Sequence, residues 1–369
     1  RRQRQMCIRD STQSDPFKRG LTWQQSFLVD AIYINKVEND GAEQTRITTT
    51  TIPVDMQGDK KEIALAKRPD YIVPNADGSG YGLFVFDNLD NIPLPTDDLR
   101  RFALAMNMYE NYLAHGIDAK SLSDTMHSWL KAENNALIAS QLVSYWGGAV
   151  SAMPDTDRHF QEQQMWQEYR NATIASVKQR LIRHLYNTVS DESVTDSIYN
   201  VWADKSDPLL SKTDYTQIAY RLAILKPQQW QKILQKQRTR LSDADEIRQF
   251  DFISRACTPD VDEQQRLFNS LLKAENRRIE PWTASLLRLL NDRTREPLNN
   301  RYLQPALDAL LDVQRTGDIF FPGKWLSALL SGHHSKEARQ IVETFISQHP
   351  DYPDKLMNKI KENAYTLTR

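Results

Sequence analysis

The sequence predicts a mainly α chain: an α-solenoid, a HEAT- or armadillo-like helical superhelix, preceded by a small antiparallel β-sandwich. Three observations predict it. Up to residue 90 the apolar residues fall in short β-branched runs bounded by Gly, Asn and Asp turns. At Pro93 and Pro95 the pattern switches, and from there to Arg369 apolar residues recur at the helical period. The helical segments run to about 12 to 16 residues with short polar links, as in stacks of helix pairs that bury their apolar stripes on neighbours. No strict repeat is visible, so helix length and link length carry the expectation. The domains expected are a non-native or disordered tail over 1–11, the sandwich over 12–90 and the helical solenoid over 91–369.

Taken in order, Arg1 to Ser11 shows neither helical nor strand periodicity and resembles a translated sequencing-adapter end. Phe27 to Ile34 is apolar and β-branched, broken only by Asp30, as a strand buried on both faces would be. Asn39-Asp40-Gly41 is a hairpin turn, and the Thr-rich run Arg46 to Val54 is the returning strand. Gln57-Gly58-Asp59 turns into Glu62 to Ala66, and Tyr71 to Asp87 closes the sheet as a hairpin. In that hairpin Gly78 and Gly80 permit positive φ, while Asn75 and Asp77 bond their own backbone. The Gly-rich loop joins two strands, opens no helix and carries no Lys, so it is no phosphate cradle.

Thr96-Asp97-Asp98 caps the first helix, whose stripe of Phe102, Ala105, Met106, Tyr109 and Leu113 runs to a stop at Gly116. Further helices are expected over Asp118–Leu130, Glu133–Tyr145, Pro154–Asn187, Asp191–Ala203, Ser211–Leu225, Lys226–Arg240 and Asp243–Ala256. The rest fall at Val261–Lys273, Pro281–Leu290, Tyr302–Arg315, Gly323–Leu330, Ser335–His349 and Pro353–Ala364. Trp129, Trp146, Trp166, Trp202 and Trp230 lie in or beside these segments and serve packing rather than base stacking.

With 47 basic against 48 acidic residues, bulk charge gives no case for nucleic acid or an anionic membrane. Cys7 and Cys257 lack disulfide-framework or metal-site spacing. No apolar run approaches the roughly 18 residues that span a bilayer.

The stretch from Glu280 to His334 is the most informative. Pro281 sits in the first turn of a helix, a second helix runs from Tyr302 to Val313, and Gln314-Arg315-Thr316-Gly317-Asp318-Ile319-Phe320-Phe321-Pro322-Gly323-Lys324-Trp325-Leu326 follows it, with Gly317 and Pro322-Gly323 as punctuation. The Ile-Phe-Phe turn is too apolar for a surface loop and is expected to be tucked against its neighbours. This stretch resembles the C-terminal helical domain of the aminopeptidase N family of zinc metallopeptidases, in its bacterial branch. The resemblance continues in Gln13 to Phe27 and in the Pro74-Asn75-Ala76-Asp77-Gly78 turn, so it covers Thr12 to Arg369.

The resemblance implies a peptidase that removes N-terminal residues, with zinc on two His one helical turn apart, a Glu general base between them and a downstream carboxylate. None of His115, His127, His159, His184, His333, His334 or His349 is followed by Glu, and no Gly-x-Met-Glu-Asn amine-binding stretch occurs. It therefore implies that this chain is the non-catalytic C-terminal half, with no catalytic residue and no metal ligand of its own. Zinc then belongs to the parent enzyme, whose catalytic half would precede residue 12. The helical domain would cap the active-site cleft, its partners being its own N-terminal catalytic domain and peptide substrates. Relatives of this branch point to the periplasm or cell envelope of a bacterium.

Two substrate-binding candidates follow, Arg315 and Lys324, which flank the apolar turn and would face the far carboxylate of a peptide. The alternative is that they offset the C-terminus of the preceding helix and pair with Asp318. His333 and Glu337 stand four apart, but Gly332 and Ser335 place the histidines in a turn, with Ser335 capping the next helix. A stand-alone helical-repeat interaction module without enzymatic activity is the competing function. The DNA upstream of residue 12 separates the two.

Overall fold

A computed structural model describes residues 7–39, 42–86, 89 and 91–368. The described residues are mainly helical, in 16 α-helices, with small antiparallel sheets near the start of the chain. It divides into two compact units, 1–153 and 154–369.

In the first unit β1 (Cys7–Thr12) pairs antiparallel with β4 (Lys60–Leu65), and β2 (Gln25–Asn39) lies between β3 (Ala42–Met56) and β5 (Tyr71–Val73). The central place of β2 explains its composition: Phe27, Val29, Ala31, Ile32 and Tyr33 are all buried. Asp30 interrupts that run without penalty because it accepts from Arg100 Nε at 2.8 Å and from Thr51 Oγ1 at 2.6 Å. Ile63 and Leu65 of β4 join Phe27, Val29, Val54 and Met56 in one apolar core, so the two sheets share it.

Three expectations need correction here. Cys7–Ser11 is strand rather than tail, with Cys7 opposite Leu65, because edge pairing uses main-chain groups that side-chain alternation does not encode. Residues 1–6 lie outside the described residues, as do Asp40 and Gly41 of the expected hairpin turn, although Asn39 pairs with Ala42 across them. The closing hairpin keeps only its first arm, since residues 81–86 form no strand. Asn111 of the next helix takes the Phe84 carbonyl at 2.7 Å, and Gly80 N–H goes to Asn75 Oδ1 at 2.7 Å. Positive φ falls on Asn75, Gly78 and Gly82, not on Gly80, whose constraint is a Phe84 ring carbon 2.5 Å from where a Cβ would stand.

Three helices complete this unit: α1 (Asp98–Leu113), α2 (Ala119–Ala132) and α3 (Ala136–Ser151). Asp97, Asp118 and Asn135 cap them by accepting first-turn N–H groups. The α1 stop uses His115 at φ 66° rather than Gly116. Trp146 is fully buried where α3 meets α2.

The second unit contains only helices and their links among its described residues. The expected Pro154–Asn187 helix is two, α4 (Asp155–Asn171) and α5 (Ala175–Thr188), packed on each other across a link at Ala172-Thr173-Ile174. Ala172 and Ile174 are extended there, which a stripe count cannot register because Met165, Tyr169, Leu181 and Leu185 are buried on both sides of it. Next come α6 (Glu192–Asp204), α7 (Lys212–Leu225), α8 (Trp230–Arg238), α9 (Ala244–Ile253), α10 (Val261–Leu271) and α11 (Glu280–Leu290). The expected Tyr302–Arg315 helix is α12 (Leu303–Asp308) and α13 (Leu310–Thr316), with Tyr302 in a preceding 3-10 turn. The chain ends in α14 (Phe321–Leu330), α15 (Lys336–Gln348) and α16 (Asp354–Asn363).

Inward-turned guanidinium groups, buried or half-buried, fasten several helix ends in this unit. Arg240 donates to the Trp202 and Ala203 carbonyls, both at 2.9 Å, at the end of α6. Arg277 donates to those of Leu271 and Leu272 at the end of α10. Arg295 reaches Ala256 and Leu289. Each fills acceptors that a helix terminus leaves open. The apolar core from α10 onward gathers Phe268, Leu286, Tyr302, Leu307, Trp325 and Phe345, with Phe268 stacked on Tyr302 at 4.5 Å.

Candidate functional site

The turn flanked by the two sequence-predicted site residues joins α13 to α14. Gly317 closes α13 by donating to Val313 O at 3.0 Å, and a Cβ there would stand 2.7 Å from the Phe321 ring and 2.9 Å from Glu280 Oε1. Asp318 then caps α14, its carboxylate accepting the N–H groups of Phe320 and Phe321, both at 2.7 Å. Its own N–H donates to Glu280 Oε1 at 2.8 Å, which ties the turn to the start of α11.

The apolar turn is not tucked in as expected. Phe321 is buried, but Ile319 is 77% and Phe320 64% exposed. Helical geometry is the reason: Phe321 and Trp325 share the core-facing stripe of α14, whereas Ile319 and Phe320 precede its first turn. Arg315 projects from α13 with its side chain 80% exposed and meets Asp312 at 2.6 Å, not Asp318. Lys324 is exposed one turn into α14, and its charge helps hold the Asp318 carboxyl below its ordinary range. Burial opposes that shift. The N–H groups of Phe320 and Phe321 and the Glu280 contact outweigh it.

At the other end of α14 the two histidines enter a closed polar knot. Ser335 caps α15 through Ala338 N–H, and Glu337 lies in its first turn. The fully buried His333 ring lies between Asn300 Oδ1 on Nδ1 and Asn291 Oδ1 on Nε2, both at 2.9 Å. Glu296, its side chain 4% exposed, accepts from the N–H groups of His334 and Ser335 and meets His334 Nδ1 at 2.5 Å. Burial alone would raise that carboxyl, but His333, His334 and Ser335 outweigh it and hold it far below the carboxylate range. Asn300 also donates to Glu337 Oε2 at 3.0 Å. These residues do not fit a zinc site, because the His333 ring nitrogens already have partners. No group of three or more His, Cys, Asp and Glu able to hold a metal occurs among the described residues.

Sequence reasoning missed a cleft of about 430 Å³ between the end of α9, the face of α10 and the start of α11. Its apolar lining includes Phe252, Leu267, Leu271 and Trp282, with Phe252 and Trp282 rings tilted at 6.0 Å. Arg255, Arg278 and Glu275 stand on its rim, all exposed. Neither guanidinium has a hydrogen-bond or ion-pair partner among the described residues. The available signal was Arg277-Arg278, two adjacent arginines in a non-helical link: Arg277 turns inward as a pin, and Arg278 is left outside.

No protein-family model matches the sequence, and no curated protein matches it. Among solved structures, the chain is similar to Legionella pneumophila aminopeptidase A in complex with aspartic acid. That match has 11% identity and a TM-score of 0.45, over 97% of this chain and 48% of that one. The chain thus spans about half the length of the structure it matches, and the functional conclusion rests on the chain's own residues.

Proposed function

We propose that this chain is the non-catalytic C-terminal part of a zinc-dependent aminopeptidase that removes N-terminal residues from peptides. In this reading residues 12–90 are a β-sandwich domain, and residues 91–369 are an α-solenoid that caps the active-site cleft and limits which peptides enter. The supporting observation is the sequence resemblance from Thr12 to Arg369, densest in the Gln314–Leu326 signature. The residues of that signature have separable roles consistent with the reading. Gly317, Asp318, Phe321 and Trp325 build the turn and seat α14, whereas Arg315, Ile319, Phe320 and Lys324 face outward. A peptide's free amine would be held by the catalytic domain, so its far carboxylate would meet positive groups elsewhere, and Arg315 and Lys324 supply them. Zinc would be held in the parent enzyme by residues outside this sequence.

The test has a genetic arm and a biochemical one. Upstream of residue 12 the reading frame should continue into a His-Glu-x-x-His motif. The purified chain should neither retain stoichiometric zinc nor cleave amino-acid anilides. Chelator-sensitive turnover by this chain alone would overturn the non-catalytic assignment, and a stop codon followed by a start site would favour the stand-alone interaction module.

A further inference from the structure

We propose that the cleft between α9, α10 and α11 binds a small apolar carboxylate. The proposal goes beyond the peptidase reading and does not depend on it. At about 430 Å³ the cleft lies within the range of small-molecule sites, roughly 300 to 1,000 Å³. Its lining has the two parts such a ligand needs. Phe252, Leu267, Leu271 and Trp282 form an apolar surface, with Ile279 48% exposed at its edge. Arg255 and Arg278 stand beside that surface from opposite ends of the α9–α11 segment.

Most arginines described in this unit are engaged. Arg221, Arg240, Arg277 and Arg295 cap carbonyls, and Arg183, Arg238 and Arg315 meet carboxylates. Arg255 and Arg278 differ in having no partner among the described residues while bordering an apolar hollow. Glu275 is the one acidic residue of the lining, so the two arginines leave one positive charge in excess. An anion is therefore favoured over a cation, and a planar carboxylate suits a guanidinium fork.

The rim is also held in place. Arg277, between Asn276 and Arg278, is buried and donates to Leu271 O at 3.2 Å, Leu272 O at 2.8 Å and Thr316 Oγ1 at 2.9 Å. Asn276 Nδ2 donates to Ser270 O at 3.0 Å. The wall that presents Arg278 is thus fastened to α10 and α13 before any ligand arrives, which lowers the ordering cost of binding.

Calorimetric titration of the full chain with N-acetyl-phenylalanine at low salt tests this. N-acetyl-phenylalanine amide, the same shape without the charge, should bind at least about tenfold more weakly, as expected for loss of a charge-assisted contact. Arg255→Ala and Arg278→Ala should each weaken the acid by about the same factor while leaving the melting temperature unchanged, because both side chains are exposed. Octanoate distinguishes the source of the carboxylate. Tighter binding of octanoate assigns the cleft to aliphatic acids, and tighter binding of the acetylated amino acid, lost in Trp282→Ala, assigns it to peptide-like acids. Equal affinity for acid and amide, retained affinity in both arginine variants, or no heat at millimolar ligand would overturn the proposal.

Discussion

The two ends of α14 place similar chemistry in opposite circumstances. At its start, Ile319 and Phe320 face solvent beside Arg315 and Lys324. At its end, the His333 ring and the Glu296 carboxylate are almost wholly withdrawn from it. The difference lies in what each turn packs against. The first is held by one backbone bond to Glu280 and by its own Asp318 cap. The second is pressed onto the 291–300 link, so each of its polar groups needs a partner and finds one. A buried charge with full partnership fixes structure, whereas an exposed charge beside exposed apolar groups remains free to meet a ligand.

The sharpest way to break this contrast is at the two glycines that flank α14. A Cβ on Gly332 would stand 1.6 Å from the Asn291 carbonyl oxygen, so main chain must move against main chain. Gly332→Ala should cost more than about 4 kcal/mol, in the exceptional range for single substitutions. At Gly317 the nearest obstacles are the Phe321 ring and the Glu280 carboxylate, which can shift, and Gly317→Ala should cost about 1 to 3 kcal/mol. Urea denaturation compares them directly. A Gly332→Ala variant as stable as the parent would mean that the closed knot is not closed.

The charge in the knot gives the next effect. Glu296→Gln replaces an acceptor of three bonds by a group whose amide hydrogens face other donors, and should cost about 2 kcal/mol. The sign of its pH dependence follows from the direction of its shift. Glu296 is held below its ordinary value of 4.5, so its contribution is complete above that value and is lost as pH falls below it. The parent should therefore lose stability from about pH 5 downward, and Glu296→Gln should lose less over the same interval. His333 and His334 face this carboxylate, so the comparison is made between two proteins that both keep these histidines. Identical acid slopes in the two proteins would remove Glu296 from the account.

Legibility in the sequence followed the same division between local and distant causes. The N-caps at Asp97 and Ser335 and Pro281 in its first turn are local, and each was readable. The role of Ser335 as a cap also removed His333 and Glu337 as metal ligands. The partners of His333 were not readable, because Asn291 and Asn300 lie 42 and 33 residues away. Burial of Phe321 but not Phe320 depends on where α14 begins, and a shift of one residue reverses the answer. The cleft is assembled by three helices around an inward-turned Arg277, and nothing in a helical period distinguishes that arginine from its exposed neighbour.

The smallest effect on folding, and the most informative for function, belongs to Arg315 and Lys324. Arg315 shares the Asp312 carboxylate with buried Arg277, so removing the exposed partner leaves the inner pair intact. Lys324 is exposed on the outer face of α14. Arg315→Ala and Lys324→Ala should therefore each change stability by less than about 0.5 kcal/mol, as exposed charges do. In a longer protein carrying the catalytic half, either change should raise KM for short peptides while leaving anilide hydrolysis nearly unchanged. An anilide has no far carboxylate, so it controls for damage to the active site itself. The expected loss is a few-fold, corresponding to about 1 kcal/mol for a partly screened charge pair. Equal losses on both substrates, or a marked fall in melting temperature, would show that the start of α14 is as structural as its end, and the contrast between the two turns would fail.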